Sequence, residues 1–352
     1  MRNESIQLDG KIYNGENLDK LIVTNETRDS WRNKIYQFLQ NWFDDSDFIL
    51  AQTSGSTGEP KSIKLPKQSM INSAKMTNHF FGLNKDKTAL LCLPASYIAG
   101  KMMLVRALVG GFNLITVEPS ANPFEKLGTD IDFAAITPYQ LLHSIGSLKG
   151  MPIGNIIVGG GHVNTKMEEM VAGISASMYE TYGMTETASH IALRCFNGEK
   201  KSDCFTVLDG VDMRLDERGC LAIYAPHLYS DELITNDIVE LLGNRSFRWL
   251  GRIDSVINSG GVKIFPEQIE KKLERIIPSN FFIASLPDDV LENKVVLLIE
   301  SDKYNSSDET KLLDQMRLVL EKYEFPKEII YVKAFVYSSG NKILKAQTLQ
   351  LL

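Results

Sequence analysis

Apolar positions Trp31, Ile35, Phe38, Leu39 and Trp42 recur at helical spacing within residues 26–43 and predict an amphipathic helix. FILAQ (48–52) reads as a buried strand, and SIKL (62–65) as a strand leaving the polar stretch that follows it. TALLCL (88–93), FNLITV (112–117), FAAI (133–136), NIIV (155–158) and SMYE (177–180) are short apolar runs of strand length. Helical patterns fall between them at 69–81, 138–145 and 164–174. Strands alternating with helices predict an α/β architecture with a largely parallel sheet.

After Gly183 the pattern changes. Segments 205–215, 219–224, 237–242 and 247–250 read as short strands separated by turns, a β-rich region. Pro266 suits a first helical turn, and Ile269, Leu273 and Ile276 mark one helix face. FFIA, KVVLLIE, a helix over 309–322 and EIIYV complete the chain. The expected organisation is a large N-terminal domain, 1–252, of α/β layers plus a β-rich subdomain. A small α+β C-terminal domain, 253–352, follows it.

Composition narrows the classes. A chain of 352 residues with 43% hydrophobic and 23% charged positions can bury a large core, which excludes a disordered or disulfide-scaffolded protein. A net charge of -6 supplies no basic field for a nucleic-acid backbone. Cys92, Cys195, Cys204 and Cys220 show no CxxC spacing, which fits a reducing cytoplasm better than a zinc site or disulfides. The polar start MRNESIQLDG lacks the apolar run of a secretory signal. The apolar region 88–117 is interrupted by Pro94, Lys101 and Arg106, so no membrane span is expected.

The strongest chemical signal is Thr53-Ser54-Gly55-Ser56-Thr57-Gly58-Glu59-Pro60-Lys61. Glycines let a backbone approach a polyphosphate closely, hydroxyls add donors, and Lys61 adds positive charge. A P-loop is excluded by register: counting back from Lys61-Ser62 requires a glycine where Pro60 stands, and proline has no N–H to donate. Three weaker constellations follow: Tyr182-Gly183-Met184-Thr185-Glu186, then Asp237 with Gly251-Arg252-Ile253-Asp254, then Gly340-Asn341-Lys342-Ile343-Leu344-Lys345. Each alone reads more readily as a turn, an ion pair or an exposed lysine. The five histidines, His79, His143, His162, His190 and His227, have neither triad nor metal spacing, and none is assigned a role.

Taken in order, these motifs resemble the adenylate-forming superfamily of acyl-CoA synthetases, peptide-synthetase adenylation domains and luciferases. The resemblance runs from about Phe48 to Leu349. It implies ATP, Mg²⁺, coenzyme A and a small carboxylic acid as ligands. In that family a carboxylate attacks the α-phosphate of ATP, and a thiol then displaces AMP. Carried over by motif position, Thr53, Ser54, Gly55, Ser56, Thr57, Gly58 and Lys61 grip the β- and γ-phosphates. Tyr182 stacks on adenine, Thr185 contacts the α-phosphate, Glu186 holds Mg²⁺, and Asp237 binds the ribose with Arg252. Gly160 and Gly161 form the glycine turn beside the acyl and adenine pockets, and Asp254 is the hinge. Gly260 and Gly261 face the pantetheine arm of CoA, and Lys342 bridges carboxylate and α-phosphate, with Lys345 as the alternative.

Leu93–Lys101 is similar to the substrate-side segment of the o-succinylbenzoate–CoA ligases of menaquinone biosynthesis, with Tyr97 where many members carry His. A second carboxylate on the acid calls for a basic partner, and Lys101 or Arg106 can provide it; the other reading makes both of them helix-surface cations. The chain departs from the superfamily in placing Asn341 between Gly340 and Lys342 and in reaching the phosphate loop by residue 53. That early start leaves a wall of the acyl pocket to another source, such as a second subunit in a homo-oligomer. Rival readings are an adenylating enzyme for another aryl or fatty acid, loading CoA or a carrier protein, and a nucleotide-binding protein without turnover.

Overall fold

The computed structural model describes residues 4–21, 30–52, 62–337 and 343–352. Its spine is a 13-stranded sheet. Strands Thr88–Leu91, Asn113–Thr116, Ile131–Ile136, Ile153–Val158 and Ser177–Gly183 run parallel, and Ile6–Leu8 joins beside Asn113–Thr116. Alternate side chains of these strands face opposite layers. Ala89, Leu91, Phe133 and Ala135 pack under helices Trp31–Phe43, Lys67–Phe81 and Ile98–Gly110. Leu90, Ala134, Ile136 and Ile156 pack under Pro138–Leu148 and Thr165–Met170. Burial on both faces is why the strands read as unbroken apolar runs.

Several expectations need correction. The sheet is parallel as far as Ser177–Gly183 and then continues antiparallel through His190–Cys195, Phe205–Val207, Ser246–Arg252, Leu233–Leu241, Cys220–Tyr224 and Asp212–Leu215. The β-rich region therefore extends the same sheet; short turns can join antiparallel strands, where parallel ones need crossovers. Phe48–Gln52 lies outside that sheet, in a hairpin with Ser62–Pro66. A two-stranded ribbon has one face to bury: Ile49, Ala51 and Leu65 point inward, and Leu50 is 58% exposed. The helix expected over 164–174 ends at Met170. Ile98–Gly110, apolar on nearly all sides, is a helix because it is buried on nearly all sides.

A second unit follows the sheet. Phe281–Asp288, Glu292–Glu300 and Glu328–Val332 form three strands, flanked by helices Pro266–Leu273 and Ser306–Val319. Ile269, Leu273, Leu297, Leu312 and Met316 form its own core. Among the described residues no helix is long and apolar enough to cross a membrane.

Lys67 ties the N-terminal helix to the body. It is 1% exposed, and its Nζ donates to Trp42 O (2.9 Å), Asp44 O (3.2 Å) and Asp44 Oδ1 (2.9 Å). A cation here satisfies carbonyls at the C-terminus of Trp31–Phe43, where the helix dipole is negative. The Lys67 hydrogen bond in turn holds the Asp44 carboxyl below its ordinary range. Lys67→Met keeps the stem and removes the donors, and it should cost about 2 kcal/mol in urea unfolding with the m value unchanged.

Candidate active site

In an open α/β sheet the carboxyl ends of parallel strands leave a crevice, since the helices that follow splay away from it. Three segments singled out in the sequence follow strand ends on that edge. Tyr97 follows Thr88–Leu91, Gly159 to Gly161 follow Ile153–Val158, and Thr185 and Glu186 follow Ser177–Gly183. The glycine turn lies against the neighbouring strand: a Cβ on Gly159 would stand 2.5 Å from Thr181 Oγ1. Gly160 has φ +80°, and a Cβ on Gly161 would meet the Pro138 ring at 3.3 Å.

Tyr182, Asp237 and Arg252 come together across the antiparallel part. Strand register sets Asp237 opposite Arg252. The buried Asp237 carboxylate accepts from Tyr182 Oη (2.6 Å) and from Trp249 Nε1 (3.1 Å). The Tyr182 ring packs on Phe205 and Phe247, and burial followed by the Asp237 charge pushes its phenol pKa up. Arg252 Nη2 donates to Asp254 Oδ2 at 2.7 Å, which holds the Asp254 carboxyl below its ordinary range. Asp254 sits in the turn Ile253–Ser255 directly after the sheet's Ser246–Arg252 strand.

Two residues before Tyr182, Glu180 is buried in an ion network. It accepts from Arg194 Nε (2.8 Å), His162 Nδ1 (3.0 Å) and the Val163 N–H (2.9 Å), while Arg194 Nη1 reaches Glu168 at 2.7 Å. Burial acts to raise the Glu180 carboxyl, but His162, Arg194 and the Val163 N–H overcome it and hold it below the ordinary range.

The turn carrying Thr185 and Glu186 is tightly held. A Cβ on Gly183 would fall 2.4 Å from Ser189 O, and Ala188 adopts φ 60°. Thr187 Oγ1 accepts from Met184 N and contacts Met184 O and Ser189 O at 3.0, 2.9 and 2.5 Å. Glu186 is exposed and has no hydrogen bond or ion pair among the described residues. No group of three or more His, Cys, Asp or Glu among those residues is placed to hold a metal. A free carboxylate nonetheless fits Mg²⁺, which takes one or two protein carboxylates and draws its other ligands from phosphates and water.

Behind this turn lies Arg106. It is 1% exposed, so the reading of it as a helix-surface cation fails. Its Nη2 donates to Ser189 Oγ at 2.7 Å; among the described residues Nη1 meets only Met103 Sδ, at 3.4 Å, and Nε has no partner. Burial draws its pKa down to about 9, which leaves it cationic at neutral pH. Among the described residues no carboxylate pairs with it. Ser189 Oγ is 3.3 Å from His190 Nδ1, His190 Nε2 is 3.3 Å from Thr77 Oγ1, and Thr77 Oγ1 donates to Ser73 O at 3.2 Å. The assignment that uses every hydroxyl proton has a neutral His190 protonated on Nε2. Burial, then the nearby Arg106 charge, depresses its pKa well below 6.5.

Lys101 is half-buried and donates to Leu50 O at 2.8 Å, and Tyr97 is 60% exposed at the N-cap of the same helix. Gly260 and Gly261 join Ile257–Ser259 to Val262–Ile264 with φ 57° and 81°, and Gly260 N donates to Leu291 O at 2.9 Å. Lys345 Nζ bonds Glu270 Oε1 at 2.7 Å and lies over the Phe282 ring, which commits it to the C-terminal core. Thr53, Ser54, Gly55, Ser56, Thr57, Gly58, Lys61 and Lys342 lie outside the described residues. Trp249, Ser189, His190 and His162 were invisible in the sequence. Their contacts span 12 to 113 positions, apart from the Ser189–His190 pair, and no local spacing records them.

The model of the AMP-binding enzyme family matches residues 12–221. The chain belongs to this family, and with its relatives named as CoA ligases it is an AMP-forming acid–CoA ligase. Among particular relatives, a probable 2-succinylbenzoate–CoA ligase of Mycobacterium tuberculosis is 25% identical over 285 residues, covering 73% of this chain and 71% of the relative. A crystal structure of an acyl-CoA synthetase (AMP-forming)/AMP-acid ligase II-like protein from Dyadobacter fermentans is 35% identical, with TM-score 0.62 over 96% of this chain and 98% of that one. The o-succinylbenzoate CoA synthetase of Bacillus subtilis, solved with its acyl-adenylate intermediate, shares the fold at TM-score 0.72 and 20% identity, over 85% of this chain and 68% of its own.

The buried imidazole makes stability depend on pH. Native His190 stays neutral, while the unfolded chain takes up a proton near its ordinary value of 6.5. Below that pH the unfolded state binds more protons, so stability falls on acidification, with a His190 share of up to about 1.4 kcal/mol per pH unit. Urea unfolding between about pH 7.5 and about pH 5.5 should show this slope, and His190→Asn should flatten it.

Proposed function

We propose that this protein joins o-succinylbenzoate to coenzyme A through an acyl-adenylate, a step of menaquinone biosynthesis. The observation that carries the choice of acid is Arg106. A buried cation without a counter-ion costs several kcal/mol, and a ligand that brings an anion to it recovers that cost. o-Succinylbenzoate has two carboxylates. One is consumed in adenylation, and the ring carboxylate is the group that meets the Arg106 fork. The relatives named as ligases for this acid support the reading.

In the adenylation step an oxygen of the succinyl carboxylate attacks the α-phosphorus, and the bond to the departing pyrophosphate breaks. Thr53 to Lys61 hold the β- and γ-phosphates, Thr185 the α-phosphate, and Tyr182 the adenine. Each Asp237 oxygen already accepts one hydrogen bond and keeps a lone pair for a ribose hydroxyl, with Arg252 beside it. Glu186 would hold Mg²⁺, which neutralises phosphate charge when bound. Lys342 bridges the two reacting anions and lowers their repulsion as charge develops. The CoA sulfur then attacks the acyl carbon and AMP leaves. Residues 1–252 act as the AMP-binding domain and 253–352 as a lid that turns at Asp254 and brings Gly260 and Gly261 to the pantetheine arm. Lys101, already bonded to a carbonyl, and Tyr97 line the acid entrance.

A panel of carboxylic acids assayed with ATP and CoA should give highest turnover with o-succinylbenzoate, and turnover of other acids but not this one overturns the assignment. Arg106→Gln should lower kcat/KM for o-succinylbenzoate about 100-fold while changing that for 4-oxo-4-phenylbutanoate, which lacks the ring carboxylate, by less than about threefold. Lys342→Ala should abolish acid-dependent pyrophosphate exchange, and retained exchange removes that lysine from the mechanism.

A further inference from the structure

We infer that Ser189 is a positioning residue that couples the acid pocket to the nucleotide pocket, so that the remote anionic group of the acid and the adenine nucleotide bind with positive cooperativity. This rests on Arg106 as the anion site and on Thr185 and Glu186 as nucleotide contacts.

The hydroxyl of Ser189 is the polar side-chain oxygen that engages Arg106, at 2.7 Å from Nη2. Among the described residues the rest of the guanidinium is loosely held, with Nε unpartnered and Nη1 on a thioether. An arriving carboxylate therefore reorients a group whose principal tether is Ser189. Ser189 in turn belongs to the turn that carries Thr185 and Glu186, and that turn has little slack. Thr187 Oγ1 is shared between Met184 and Ser189, Gly183 leaves no room for a Cβ against Ser189 O, and Ala188 is held at φ 60°. Such a turn passes a shift at Ser189 on to Thr185 instead of absorbing it. On the far side, His190 and Thr77 link the same hydroxyl to helix Lys67–Phe81, which gives the displacement a fixed reference. One charge-assisted hydrogen bond made or strengthened in this way corresponds to a coupling of about tenfold.

The test is calorimetric, on the full chain, with α,β-methylene-ATP as the nucleotide probe. Saturating o-succinylbenzoate should tighten its binding about tenfold, whereas 4-oxo-4-phenylbutanoate should change it by less than about twofold. Ser189→Ala should bring the o-succinylbenzoate effect below about twofold while the nucleotide alone binds within about threefold of wild type, and Ser189→Thr, which keeps the hydroxyl, should restore it. If Ser189→Ala fails to fold, as judged by circular dichroism, Ser189→Cys keeps the volume with a poor acceptor and should lose the coupling likewise. An unchanged coupling in the variant that folds, or no coupling in wild type, overturns the inference. If Arg106→Gln loses its preference for the ring carboxylate while Ser189→Ala keeps the coupling, the inference alone fails. If Arg106→Gln keeps that preference, the anion-site reading fails as well.

Discussion

The close packing of one turn, residues 184–189, against the end of the strand that precedes it governs the rest of the site. Ser177–Gly183 is where the sheet passes from parallel to antiparallel, since it pairs with Ile153–Val158 in one sense and with His190–Cys195 in the other. The chain reverses there within a few residues, which requires a glycine at 183 and a positive φ at Ala188. That reversal points Glu186 outward to solvent and Ser189 inward to Arg106. One backbone constraint thus sets the directions of both side chains.

Two buried arginines show how differently the protein treats charge. Arg194 is surrounded by Glu168 and Glu180, with His162 and Lys201 at the margins, and the network is closed. Burial lowers its pKa, but the two carboxylates outweigh that and raise it. Such a network fixes the position of the strand bearing Tyr182 and leaves no valence for a ligand. Arg106 is equally buried and lacks any carboxylate among the described residues. A buried cation left alone costs more than a neutral packing residue in its place, and that cost is what separates Arg106 from the closed network around Arg194.

The C-terminal unit meets the sheet through charged and polar contacts. Glu274 accepts from the Thr165 N–H at 2.7 Å and Arg275 pairs with Glu169 at 2.7 Å, both on the helix Thr165–Met170 that covers the sheet, while Ser255 bonds Glu267 within the unit itself, beside the turn that holds Asp254. Contacts of this kind are individually weak when exposed. Lys345 is tied within that unit by its bond to Glu270.

The alternation of strands with helices and the unbroken apolar runs of the buried strands follow from local composition and spacing, because strand burial and helix periodicity act over a few residues. The sequence by itself also carried the ordered motifs whose resemblance pointed to the family. Whether Arg106 faced solvent or core was not written locally: a helix apolar on nearly every side carries no polar face against which to judge it. The continuity of the β-rich strands with the parallel sheet was decided by pairing between segments far apart in the chain. So was the meeting of Arg106, Ser189, His190 and Thr77, and of Trp249 with Asp237. Hydrogen bonds across long separations depend on how layers pack, and only the tertiary structure brings their partners within reach.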